Sequence, residues 1–160
     1  MTKDTISEAA HNHPWKVSDI VLFPLLAFGL LLEWLVPANL PVWRPAALGL
    51  GAVLTVAGFL LIRASKRILD AAGQPSLPEK PTTQLITSGL FAWSRNPNYL
   101  GAIIAVSGGV LLFGSAWIAV TTVVSAVILE VWMIRPEERY LRRVFGQDYE
   151  AYVKSTRRWF

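Results

Sequence analysis

Cysteine is absent from the 160 residues, which excludes thiol catalysis, disulfides and cysteine-based metal sites. Histidine occurs only as His11 and His13, both in the polar N-terminal segment, so no metal centre is expected inside the fold. Charge is scarce too. Charged residues make up 16% of the chain, where a water-soluble domain carries about 25%. No strand pattern is present and no G-x-G-x-x-G follows one, which excludes a soluble dinucleotide-type cofactor domain. What remains is apolar: 53% of residues are hydrophobic and mean hydropathy is +0.42. The length accommodates one domain. In so apolar a chain the net charge of +4 points to anionic lipid rather than nucleic acid.

The apolar residues fall into runs of membrane-spanning length. Residues 1–19, with Lys3, Asp4, Glu8, Lys16 and Asp19, form a polar segment unlike the start of a secretory signal. Residues 20–62 hold two expected spans. The first is IVLFPLLAFGLLLEWLV over 20–36, with Glu33 its one charge, near enough to the end to reach water. Pro24 is tolerable there if neighbouring helices satisfy the freed carbonyl. The second runs from about Ala46 to Ile62. Residues 63–98 form a polar loop with Pro75, Pro78 and Pro81, and a loop of about 35 residues is usually functional. Residues 99–134 make a helix hairpin: a short span Tyr99–Phe113, a turn at Gly114-Ser115, and a span Ala116–Ile134. Gly101, Ala105 and Gly109 offer a small-residue stripe for close helix approach. In 135–160, Leu141, Phe145, Tyr149 and Tyr152 recur at helical spacing, which predicts a helix broken near Gly146, on the membrane surface or covering a site. The expected fold class is therefore an all-α polytopic integral membrane protein with about four hydrophobic helices, a cytosolic loop and a C-terminal helical segment.

Basic residues set the orientation. Two lie in the N-terminal segment, five in the 63–98 loop and seven in the tail, against Arg44 alone in the short loops. The positive-inside rule puts both termini and the long loop in the cytoplasm.

Three blocks on that side could carry chemistry. Arg95-Asn96-Pro97-Asn98-Tyr99 leads into the third span, and Arg135-Pro136-Glu137-Glu138 leaves the fourth. An antiparallel hairpin brings these two together. The third block is the tail Phe145–Tyr152 with Arg157-Arg158-Trp159. Asn96-Pro97 opens a helix whose free N–H groups attract an anion, and Arg95 adds a planar fork suited to a carboxylate. By position alone, Arg95 and Tyr99 also fit an interfacial snorkel and belt, and Glu137-Glu138 a solvated face. As site residues, the two acids would hold a cationic ligand group. Glu130 lies seven residues before Glu137, on the same face of a regular helix, with Arg135 or a ligand cation as its partner.

The pattern LITSGLFAWSRNPNYLG, an apolar hairpin, then RPEERYL-x3-FG-x2-Y-x2-Y-x4-RRW resembles the isoprenylcysteine carboxyl methyltransferase family, most closely its bacterial members. The resemblance covers 73–160, the expected methyltransferase core. It implies an integral membrane enzyme of a bacterial inner membrane that uses S-adenosylmethionine, held in a cytosolic pocket between the hairpin and the C-terminal segment. A lipophilic substrate would enter laterally from the bilayer. The resemblance carries Arg95, Glu137 and Glu138 over as catalytic residues. It makes Asn96, Pro97, Tyr99, Gly101, Glu137, Glu138, Tyr149 and Tyr152 cofactor-binding, with Phe145 and Gly146 also matching the tail. Arg95, Glu130 and Arg135 are the residues expected at the substrate. Asn96 stands where eukaryotic members have histidine, and Asn cannot act as a base near neutral pH.

Charge bears on the acceptor. A carboxylate is ionised at pH 7 and needs no general base, whereas an amine must first be neutral. With no histidine near the site, a carboxylate acceptor is favoured over phospholipid or amine N-methylation. A non-enzymatic membrane subunit is the remaining alternative.

Overall fold

The computed structural model describes residues 18–74 and 82–160. The N-terminal segment up to residue 17 and the proline-rich approach 75–81 lie outside the described residues. All regular elements described are helical: α1 (Ser18–Leu35), α2 (Arg44–Ala71), α3 (Pro97–Phe113), α4 (Ala116–Ile128), α5 (Arg135–Phe145) and α6 (Gln147–Ser155). A 3-10 turn covers Gly89–Ala92, and a π-helical turn over Leu129–Ile134 joins α4 to α5 without a break.

Among the described residues, length and composition make two helical runs sufficient to cross a membrane, Arg44–Ala71 and Ala116–Phe145. The shorter α3 is apolar throughout, about 25 Å long at 1.5 Å per residue. Large apolar side chains face outward along α1, α2 and α4, among them Phe23, Trp34, Val53, Phe59 and Val123. A surface so apolar suits a lipid surround better than water.

α2 does not stop at Ile62. It continues through Arg63, Lys66, Arg67 and Asp70 to Ala71, so the polar loop begins later than its charges suggest. Those four side chains are exposed while Ser65 is buried, so the last turns remain amphipathic and nothing breaks them before Gly73. That glycine adopts φ +64°, left-handed backbone that favours its lack of a Cβ.

The expected hairpin forms, but each of its helices packs more closely on another partner. α3 lies chiefly along α2, and α4 along α1, with less contact between α3 and α4. Small residues explain the choice. A Cβ on Gly101 would lie 2.8 Å from Gly58 O, and one on Gly51 would lie 2.8 Å from Gly108 O. The stripe is thus Gly101, Ala105 and Gly108, facing Gly51, Thr55 and Gly58. Gly109 is not part of it, since a Cβ there would meet nothing within 4 Å. At 3.6 residues per turn, position i+7 returns within about 20° of the start whereas i+8 overshoots by about 80°. Gly29 plays the matching part between α1 and α4, where its added Cβ would lie 2.7 Å from Thr121 Oγ1.

At the short-loop end, Glu33 does not simply reach water. It accepts from Ala38 N at 3.1 Å and from Ser115 Oγ at 2.5 Å, and Ser115 in turn caps α4 by accepting from Ile118 N. Arg44 donates to the final carbonyls of α3, Leu111 O and Leu112 O. These bonds satisfy helix-end groups that would otherwise lack partners, leaving the opposite end of the bundle to carry the site.

Candidate functional site

At that end the chain binds its own tail. Pro97 occupies the first turn of α3, where its missing N–H costs nothing. The residues before it face the C-terminus. Arg95 N donates to Arg157 O at 2.9 Å. Ser94 Oγ and Asn96 Nδ2 both donate to Arg158 O, at 3.1 and 3.2 Å. Arg95 is a strut rather than a free fork: its side chain is 8% exposed, and Nη1 donates to Val153 O and Thr156 O while Nη2 donates to Glu138 Oε1 at 3.0 Å. An acid of the protein is therefore its partner, and only Nε is buried without one.

The two neighbouring acids have different surroundings. Glu138 is buried and receives Arg95 Nη2 together with Arg158 Nε and Nη2, at 3.0 and 2.7 Å. Burial alone would raise its pKa, but the hydrogen bonds from Arg158 and Arg95 outweigh it and hold the carboxyl below its ordinary value. Glu137 has no ion pair among the described residues. Its Oε2 accepts from Tyr99 Oη at 3.0 Å. Burial lifts its pKa from 4.5 to about 6; the Tyr99 bond pulls against this and the Glu138 charge adds to it. One acid is a fixed anion held by arginines, and the other is a carboxyl poised near neutrality.

Glu130 joins Glu138, not Glu137 as regular helical spacing would have it. Arg158 Nη1 reaches Glu130 Oε1 at 2.6 Å, and exposed Arg135 donates to the same oxygen at 3.2 Å. The cause is the π turn, whose i→i+5 bonds take up one extra residue and move the matching position from i+7 to i+8. Glu130 Oε2 and Asn98 Oδ1 are buried without partners.

The tail tyrosines fasten this assembly. Tyr152 Oη donates to Phe91 O at 2.5 Å, and burial raises its pKa to about 12, with Arg95 opposing. Tyr149 is fully buried, edge-on to Tyr152 at 6.1 Å between ring centroids. Tyr140, outside the expected stripe of Leu141, accepts from Thr82 N at 3.1 Å. Gly146 at φ +52° separates α5 from α6. Gly101, expected at the cofactor, sits in the α2–α3 contact, where Gly58 O leaves no room even for a methyl group.

Two cavities flank the site. An apolar groove of about 510 Å³ runs between α1 and the π turn, from Ile20 and Pro24 to Trp132, Met133 and Pro136, next in sequence to Glu137. Another, of about 720 Å³, lies between Leu61 of α2, Trp93, Pro97 and the tail residues Arg157 and Trp159. Sequence reasoning missed Arg158, Tyr140 and Ser94 as site residues, although all three stand inside the motif blocks.

Residues 46–148, which contain the α2–α3 contact, the π turn and both acids, match the phospholipid methyltransferase family. The chain belongs to that family. The phospholipid methyltransferase family includes isoprenylcysteine methyltransferases, in line with the motif resemblance, and makes this chain a membrane-type methyltransferase. Over 75 residues the chain is 36% identical to a curated relative, the Protein-S-isoprenylcysteine O-methyltransferase of Schizosaccharomyces pombe. That stretch is 45% of this chain and 30% of the relative, so the match spans less than a third of the relative's length. No solved structure matches the chain.

Proposed function

We propose that this family member spans the membrane four times and transfers a methyl group from S-adenosylmethionine to a lipophilic acceptor, with a carboxylate of the isoprenylcysteine type as the acceptor. The observation that carries this reading is the Tyr99–Glu137 pair: an acid with no cation partner among the described residues, one residue after Pro136 at the end of an apolar groove.

The residues suit the cofactor's chemistry. When bound, S-adenosylmethionine supplies the methyl group from a sulfonium. Ionised Glu137 attracts a cationic ligand group, and the Tyr99 hydroxyl orients the carboxylate. The unpartnered Asn98 Oδ1 offers an acceptor at the same helix start. The 720 Å³ cavity between α3 and the tail is lined by Ser94 and Pro97 at that helix start and not by Glu137 or Tyr99; its volume is within the range of small-molecule sites, about 300–1,000 Å³. Glu138 and Arg95 position these groups and touch no ligand. The 510 Å³ groove excludes water and admits an apolar chain from the bilayer. Arg135, 58% exposed and next to Pro136 at the groove end, meets the acceptor's carboxylate. This reading has four hydrophobic helices, α1 to α4, cross a bacterial inner membrane, with both termini and the site cytoplasmic; the basic asymmetry supports it. Topology reporters fused at residues 40 and 80 should report opposite sides, and agreement between them would refute the orientation.

One observation favours a second reading, amine methylation of a phospholipid. A carboxyl with a pKa near 6 can take a proton from an amine nucleophile, the base that the sequence lacked in histidine. Methyl-labelled S-adenosylmethionine, supplied to detergent-purified protein with membrane lipids, separates the readings. A base-labile product is an ester and supports the first reading. A base-stable product is an N-methyl compound and supports the second. Absence of cofactor binding by calorimetry would sink both and leave a non-enzymatic membrane subunit.

A further inference from the structure

We infer that Arg158 is a positioning residue of the methyl-transfer site: its guanidinium ties the π turn to α5 and sets the rotation at which Glu137 meets Tyr99. The inference rests on the proposed function and adds to it a residue that neither the motif resemblance nor the family match assigns.

Three observations converge on Arg158. First, one guanidinium uses all three nitrogens on two acids. Nε and Nη2 grip both oxygens of Glu138, at 3.0 and 2.7 Å, and Nη1 reaches Glu130 at 2.6 Å. A planar fork can do this and an ammonium cannot. Second, the two acids lie on two adjoining elements, Glu130 in the π turn and Glu138 in the first turn of α5. A π turn is a rare departure from the α-helix, and one residue more or less in it rotates everything downstream. A clamp across it selects one rotation. Third, the base of the clamp is fixed to the start of α3: Arg158 O accepts from Ser94 Oγ and Asn96 Nδ2, and Arg157 O accepts from Arg95 N. Tyr99 stands on that same first turn. Arg158 therefore connects the element bearing Tyr99 to the element bearing Glu137, whose 3.0 Å hydrogen bond lies between them.

The opposite arrangement is a plug, in which Arg158 occupies the place of a ligand cation and must leave before loading. The two differ in sign. Removing a positioning residue weakens cofactor use, whereas removing a plug strengthens it.

The test is steady-state kinetics on the full chain in detergent, with R158Q, R158K and K154Q beside wild type. Lys154 is the control: it lies in the same tail, its side chain is exposed, it lines neither cavity, and its loss removes the same unit of charge. For R158Q the KM for S-adenosylmethionine should rise at least about fivefold, with R158K between it and wild type and K154Q within about twofold. A partly misfolded preparation lowers kcat and leaves KM unchanged, so the split separates positioning from general damage. An unchanged KM in R158Q, a lower one, or an equal rise in K154Q would each overturn the inference. If R158Q does not purify, R158K decides, and a wild-type KM in it overturns the inference as well. If wild type itself neither binds nor turns over the cofactor, the proposed function fails and takes the inference with it.

Discussion

Glu137→Gln and Glu138→Gln should have opposite effects, although the residues are adjacent and both are acids. Glu138 is 6% exposed and holds two arginines. Removing one partner of a buried ion pair costs about 3–5 kcal/mol. Here Arg158 keeps 35% exposure and Gln preserves one acceptor oxygen, so a smaller loss of about 2–3 kcal/mol follows. For a chain of this size that lowers Tm by roughly 5–10 °C. Glu137 has no cation to lose. Its Gln replacement still accepts from Tyr99 and removes an unpaired, half-buried charge, so its stability cost should stay below about 1 kcal/mol. Cofactor affinity should behave the other way. Glu137→Gln should weaken S-adenosylmethionine by tenfold or more, about 1.4 kcal/mol, because the ligand's cation loses its counter-charge. The assays are thermal melting and calorimetry on the same detergent-purified samples. Equal melting losses with equal affinity losses would refute the division of labour, as would an affinity loss confined to Glu138→Gln.

Cofactor affinity should also fall as pH drops through about 6, where Glu137 protonates. The stability sign is opposite: a raised folded-state pKa favours folding below 4.5 and loses that contribution as pH rises through about 6, so wild type should lose Tm relative to Glu137→Gln over that window. A constant difference between the two would contradict it. Arg95→Lys should insert and fold but lower turnover, because an ammonium cannot serve Glu138, Val153 O and Thr156 O together; full activity, with a tail as resistant to protease as wild type's, would refute the strut. Gly58→Ala should destabilise by about 1–3 kcal/mol through overpacking, since its Cβ would lie 2.5 Å from Ala105 N. Gly109→Ala should be neutral or stabilising by up to about 1 kcal/mol. Melting in detergent checks the pair, and a reversed order would restore Gly109 to the contact.

The local pattern was enough for the existence and order of the helices and for the three motif blocks, though not for the end of α2, because hydrophobic runs, prolines and glycines act over a few residues. Pro97 starts α3 and Gly114, at φ +65°, ends it, as the chain alone indicates. The assignment of faces was not local. Whether Gly108 or Gly109 meets α2 depends on the rotation of α3 against Gly51 and Gly58, and seven and eight residues look alike in a stripe of small side chains. Glu130 fell to Glu138 because the chain beyond α4 inserts a π turn, and no residue in Leu129–Ile134 announces one. Partners across the fold decided the rest. Arg95 reads as a free cation until the tail, about 60 positions later, supplies its acceptors. Glu137 and Glu138 read as equivalent until Arg158 takes one and leaves the other to Tyr99. Hydrophobic period determines where a helix runs; which buried charge finds a counter-ion is settled only when distant segments meet, because an ion pair is a property of two positions and sequence spacing describes one.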